Sequence, residues 1–170
     1  MLSYLKLFFG TKLSIKTATW IFNNSNLSRK NRNLALRKSG VVFLGKSVIN
    51  APFFYNCGNI RLGNGSFVNY NCTMLDNETI TIGEKTILGP NVTICTVTHP
   101  VDSPNRKETV SEAVTVGNNV WIGASVVILP GVTIGDNSVI AANSVVTSHI
   151  PENTLFAGAP AVFKRHINVS

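Results

Sequence analysis

From Val116 onward an aliphatic residue returns every six positions: Val116, Ile122, Ile128, Ile134, Ile140 and Val146. The next residue is often small, as at Gly117, Gly123, Gly135 and Ala141. The fourth after each anchor is small or β-branched, as at Val120, Val126, Val132, Ser138 and Ser144. The same frame runs upstream through Ile82, Leu88 and Ile94, and through Leu62, Val68 and Met74. It starts at Leu44, with Asn50 and Asn56 in degenerate turns. It slips between Met74 and Ile82, and again between Ile94 and Val116 across a polar stretch holding Pro100, Pro104 and Arg106. A period of six is neither that of a helix nor that of a half-buried strand. It predicts a short strand, a tight corner and a new strand in a new direction, three such units closing a triangle of about 18 residues. Glycine suits such corners because it has no Cβ. The chain therefore reads as an all-β solenoid, a parallel β-helix of about five coils running from Leu44 to about Pro151.

Both ends of such a prism expose a strand edge that needs a cover. Residues 1–40 alternate apolar and basic positions, as in Leu5, Phe8 and Phe9 and then Trp20, Ile21 and Phe22, and predict one or two capping helices. Residues 41–170 form the β-helix domain, interrupted by a polar loop at 100–115. Pro151 and Pro160 bracket a last extended segment, and residues 162–167 predict a short C-terminal helix.

Hydrophobic residues make up 44% of the 170 and charged residues 14%, enough for a core and too little charge for a disordered chain. No apolar run approaches the ~20 residues of a membrane span. The opening apolar stretch is short, contains Lys6 and lacks a small-residue cleavage site, so no secretory signal is expected. Cys57, Cys72 and Cys95 form no CxxC pair and read as reduced thiols of a cytoplasmic protein. The net charge of +7 is unevenly placed. Residues 1–75 hold ten Lys and Arg and no acid, five of the ten (Arg29, Lys30, Arg32, Arg37, Lys38) within positions 29–38. This asymmetry points to an anionic partner. The basic residues do not interleave with aromatics as single-strand binders do, so nucleic acid is not expected. With Leu2, Leu5, Phe8 and Phe9 beside Lys6 and Lys12, the leader suits a helix lying on the anionic inner face of a membrane.

Of three histidines, His99 stands in Thr98-His99-Pro100, where the frame breaks and the polar excursion begins. Loops on a rigid scaffold are where function concentrates. His149 and His166 read as surface residues. The histidines lack the paired spacing of a metal site, no cysteine neighbours a histidine, and no phosphate loop of the GxxxxGK type occurs. No metal is expected.

Two runs, Gly117-Asn118-Asn119-Val120-Trp121-Ile122-Gly123 and Leu129-Pro130-Gly131-Val132-Thr133-Ile134-Gly135-Asp136, resemble the hexapeptide-repeat acetyltransferases. They are most similar to the galactoside, maltose and nodulation-factor O-acetyltransferases. Gly89-Pro90-Asn91-Val92-Thr93, Thr98-His99-Pro100 and Ala157-Gly158-Ala159-Pro160 extend the likeness over residues 59–167. Residues 1–40 do not share the acidic leader of the sugar enzymes. The resemblance implies a left-handed coil, a homotrimer, clefts between adjacent prisms, and acetyl-CoA as co-substrate.

Residue by residue, it implies that His99 is the general base, taking a proton from the acceptor hydroxyl as that oxygen attacks the thioester. Asn69, at a corner where a small residue is usual, would contact the acceptor and steady the transition state. Asp76 and Asn77 lie near the family's acceptor contacts. The backbone around Ala124 and Ala142 would hold the pantetheine arm, with Thr147 further along. Trp121 would wall the cleft or fill a groove between subunits. Lys164 and Arg165 would meet the nucleotide phosphates. Ser148 stands where a lysine is common and Val162 where an arginine is common. The expected activity is O-acetylation of a sugar or glycan hydroxyl, an envelope polysaccharide or its precursor among the candidates. An N-acetyltransferase for an amino sugar or small amine, and a non-catalytic trimeric scaffold, stay open as alternatives.

Overall fold

The computed structural model describes residues 7–9 and 12–169; Leu2, Leu5 and Lys6 of the expected amphipathic leader lie outside them. The strands, numbered in chain order, stack into three flat faces around a triangular core. The first face holds β1 (Val42–Phe43), β4 (Ile60–Leu62), β7 (Ile80–Ile82), β12 (Val114–Val116) and β15 (Thr133–Ile134). The second holds β2 (Val48–Ile49), β5 (Phe67–Val68), β8 (Ile87–Leu88), β13 (Trp121–Ile122), β16 (Val139–Ile140) and β18 (Thr154–Ala157), with β19 (Val162–His166) at its edge. The third holds β3 (Phe53–Tyr55), β6 (Cys72–Leu75), β9 (Thr93–Cys95), β14 (Val127–Ile128) and β17 (Val145–Val146). Five coils are complete and β18 begins a sixth. The protein is a left-handed parallel β-helix.

The period of six sets this register. Leu62, Ile82, Val116 and Ile134 pair in turn on the first face, and Val68, Leu88, Ile122 and Ile140 on the second. All eight are buried, and so are Val120, Val126, Val132, Ser138 and Ser144. Each such aliphatic side chain taken from water contributes roughly 1.5–3 kcal/mol. The corners are carried by left-handed residues, Asn71, Asn91, Ser125 and Asn143 between the second and third faces. Asparagine tolerates that conformation, and Asn71 donates to Asn91 of the next coil at 2.8 Å. At Gly123 a Cβ would lie 2.5 Å from the Ala142 backbone nitrogen, so the corner stacks only without one.

Two expectations are corrected. The first coil is anchored by Phe43, Ile49 and Tyr55, which pair with Leu62, Val68 and Met74, while Leu44 is 59% exposed. The frame at Leu44 was one residue late, and in a strand one residue reverses every side chain. The coil is not degenerate: Phe43, Ile49 and Tyr55 keep the sixfold spacing. At the other end residues 162–166 form a strand, not a helix. β19 pairs antiparallel with β18, with Phe163 edge-on to Phe156 at 5.9 Å. A strand there satisfies the edge that β18 would otherwise leave open.

The opposite end is closed by α1 (Ile15–Asn24) and α2 (Arg29–Lys38). Ser14 caps α1 by accepting from the Thr17 backbone N–H, and Ala18, Ile21 and Phe22 form its buried side. Asn23 treats edge strand β3 as a ladder partner. Its amide donates to the Phe53 carbonyl at 3.0 Å and accepts the Phe53 N–H at 2.9 Å. Two cations of the basic cluster are spent on packing: Arg37 lies 4.5 Å over the Phe43 ring and Arg32 5.6 Å over Phe22. No helix among the described residues is long and apolar enough to cross a membrane.

Candidate active site

The outward side chains differ between faces. The first face presents Arg61, Thr81, Thr115 and Thr133. The second presents Phe67, Ile87, Trp121, Val139 and Leu155. Along the corner after the second face runs a groove of about 540 Å³, lined by Asn69, Ile87, Pro90, Trp121, Ala124, Ala142 and Leu155 among others. Four of the expected site residues, Asn69, Trp121, Ala124 and Ala142, are thus brought together. Trp121 is 57% exposed and walls the groove.

The Asn69 side chain is oriented by its neighbour. Its Oδ1 accepts the Tyr70 backbone N–H at 2.9 Å, which leaves the Nδ2 group with its two hydrogens to offer. At the far end of the groove, Arg165 pairs opposite Leu155 and so shares its outward side; Lys164 sits in the bulge beside it. From β5 to β19 is five ladder steps, about 24 Å at the usual strand spacing. An extended thioester arm with phosphates at its end has that shape.

His99 lies on a different corner. In the third coil the third-face strand is β9, and from its end the chain leaves the coil as an arm whose base is the antiparallel pair β10 (Val97–Thr98) and β11 (Val110–Ser111). Just beyond that pairing, the His99 side chain reaches across the arm to Glu108, whose carbonyl oxygen is 2.8 Å from Nδ1. A carbonyl only accepts, so Nδ1 carries the proton and Nε2 the free lone pair. The imidazole is exposed. His99 lines neither this groove nor the second recess on its own corner, and the width of the third face separates it from Asn69.

Other expected residues divide as follows. Asn77 is exposed on the His99 corner, one coil below, accepting from the Asn56 amide at 3.1 Å. Thr147 is not in the groove; it lines a second recess on the His99 corner. Asp76 is corrected. It is fully buried, and its carboxylate accepts the backbone N–H groups of Asn56, Cys57, Gly58 and Asn59 at 2.6–2.9 Å. It pins the turn after β3, where the frame gains a residue, and has no side-chain oxygen turned to an acceptor.

Burial pushes the Cys57, Cys72 and Cys95 thiols up, with the Asp76 carboxylate adding to the effect at Cys57. Thiolate chemistry is disfavoured. No group of three His, Cys, Asp or Glu among the described residues could hold a metal ion. Two backbone features were invisible to sequence reasoning, the Glu108 carbonyl and the Tyr70 N–H. His149, read from the sequence as a surface residue, is exposed and lies beside Thr147 in the second recess.

Comparison with known proteins bears on the family and the fold. A family model described as bacterial transferase hexapeptide (six repeats) matches residues 113–148. The galactoside O-acetyltransferase of Escherichia coli K12 is 43% identical over 161 residues, covering 92% of this chain and 79% of that one. A hexapeptide-repeat acetyltransferase of Vibrio cholerae, solved with acetyl-CoA, superposes with a TM-score of 0.87 at 37% identity, over 91% of this chain and 86% of that one. A galactoside acetyltransferase solved with coenzyme A superposes with a TM-score of 0.82 at 41% identity, over 96% and 83%.

Proposed function

Because the chain belongs to the hexapeptide-repeat family of acetyl-CoA-dependent O-acetyltransferases, we propose that His99 and Asn69 move the acetyl group directly to a hydroxyl of a sugar or glycan. Nε2 of His99 takes the hydroxyl proton as the acceptor oxygen attacks the thioester carbonyl. The Asn69 amide donates to the oxygen that becomes negative. As the C–S bond breaks, His99 returns its proton to the sulfur, giving the ester and free CoA with no acyl-enzyme. The observation that carries this is the pair of backbone locks, at Glu108 and Tyr70, that leave one base and one donor.

The two residues sit at opposite ends of the third face, so the reading includes a ring of three chains. If third faces surround the axis, the His99 corner of one chain meets the Asn69 corner of the next. Phe54, Leu75, Val127 and Val145 point outward on that face, and Phe54 is 46% exposed in the single chain. A ring of this kind joins unlike surfaces and closes at three. The groove then takes acetyl-CoA, with the pantetheine arm along Ala124 and Ala142 and the phosphates at Lys164 and Arg165.

The acceptor pool we favour is an envelope glycan or its precursor at the inner face of a membrane. Exposed Phe8, Phe9 and Trp20 stand among exposed Lys12, Lys16, Arg29 and Lys30, in a segment without acids. Raised, free thiols suit a cytoplasmic setting. The deciding assay is thiol release from acetyl-CoA over sugars, amino sugars, sugar nucleotides and oligosaccharides. Preference for hydroxyl acceptors supports this reading; turnover confined to amines replaces it with N-acetylation; CoA binding without turnover on any acceptor overturns it.

A further inference from the structure

A second recess, about 320 Å³, opens on the His99 corner between the fourth and fifth coils. Thr147, Ser148, His149, Glu112 and Pro130 are among the residues that line it. Within it, His149 has its hydrogen bonding set by the backbone. Nδ1 accepts the Thr133 N–H at 3.0 Å. A ring nitrogen that accepts carries no proton, so the neutral imidazole holds its hydrogen on Nε2. His149 is therefore a fixed donor, the reverse of His99, whose Nδ1 donates and whose Nε2 accepts.

The recess thus offers one N–H donor from His149, with the Glu112 carboxylate and the Thr147 and Ser148 hydroxyls as acceptors. That set complements a secondary amide, whose carbonyl takes the donor and whose N–H meets an acceptor. The recess also shares the His99 corner, one to two coils further along the axis. In the proposed ring it faces the neighbouring chain's groove, between the reacting carbonyl and the phosphate end at Arg165. The pantetheine arm of the acetyl donor carries amides over that stretch.

Resting on the trimeric reading above, we propose that His149 is a donor-binding residue whose Nε2–H holds an amide carbonyl of the pantetheine arm in the neighbouring chain's groove. Losing one such hydrogen bond should weaken binding by about 3- to 10-fold.

Calorimetric titration of the full-length protein with CoA, with pantetheine as a phosphate-free competitor, tests this apart from turnover. In His149→Asn the amide oxygen can still accept the Thr133 N–H while the distal donor is gone. That variant should keep its thermal midpoint, bind both CoA and pantetheine about 3- to 10-fold more weakly, and raise KM for acetyl-CoA with kcat unchanged. His149→Gln, which restores an N–H near Nε2, should recover most of the affinity. Arg165→Ala should weaken CoA and spare pantetheine. Unchanged affinity in His149→Asn, or a loss in His149→Gln equal to that in His149→Ala, would overturn the proposal. Because CoA binding is read directly, these outcomes stand whether or not the acceptor assay supports O-acetylation.

Discussion

Nδ1 of His99 lies 2.8 Å from the carbonyl oxygen of Glu108, nine residues on, across the base of the arm. The contact makes Nε2 the basic nitrogen before any substrate arrives. Replacing His99 with alanine should lower kcat roughly 10²–10⁴-fold, the usual worth of a positioned general base, while CoA affinity persists. Stopped-time thiol release and calorimetry on the same preparation measure both. An unchanged kcat would remove His99 from the chemistry.

Asn69→Asp keeps an oxygen for the Tyr70 N–H but replaces the amide donor with a carboxylate beside a developing negative charge. We expect kcat to fall about 10²–10³-fold with little change in KM for acetyl-CoA, as for loss of an oxyanion donor. A mainly KM effect would make Asn69 a binding residue instead.

The separation of His99 and Asn69 gives a sharper test of assembly. The native mass should be about 55 kDa, three chains of 18.4 kDa, by sedimentation. His99→Ala and Asn69→Ala proteins, each nearly inactive, should regain activity when unfolded and refolded together, because mixed rings contain interfaces with both residues intact. Phe54→Glu should give inactive monomers. Absence of complementation in a confirmed mixed trimer would place both residues within one chain's site.

Much of this was legible in the residues, for a physical reason. A coil of three faces repeats the same environment every six positions, so the pattern from Val116 to Val146 fixes strands, corners and register together. Where the repeat is imperfect, legibility fell. Leu44 attracted the frame because it is the stronger aliphatic in Phe43-Leu44, yet Phe43 packs inward and Leu44 outward. Residues 162–166 carry no period, and the open edge of β18 decided their conformation. His99 and Asn69 were found through family likeness. What orients them, a carbonyl and an amide of the backbone, leaves no mark on side-chain identity.

Asp76 illustrates the same limit and carries its own prediction. Four backbone N–H groups converge on its carboxylate. Asp76→Ala would take the shared acceptor from all four and empty a buried site, and should destabilise the fold by on the order of 3 kcal/mol. The urea midpoint should fall, while KM for the acceptor, measured well below the melting point, should stay within about twofold of wild type. A large acceptor KM change with normal stability would reinstate Asp76 as a substrate contact.

The last prediction concerns the capping end. Phe9 is 84% exposed, Phe8 52% and Trp20 47%, and exposed Lys12 and Lys16 accompany them. Arg32 and Arg37 are engaged over aromatic rings, so Arg29 and Lys30, exposed at the start of α2, remain to face an anionic surface. Attraction between exposed charges is screened over about 8 Å at physiological salt, so it should fade as salt rises. Apolar insertion would fade less. The protein should therefore co-sediment with phosphatidylglycerol vesicles at low salt and not with phosphatidylcholine vesicles. Raising salt to 1 M, where the screening length is about 3 Å, should release most of it. Phe9→Ser should weaken binding at every salt concentration, and a Lys12→Glu, Lys16→Glu pair chiefly at low salt. Failure to bind anionic vesicles at low salt would leave the leader as a cap on the first coil and remove the membrane from the reading.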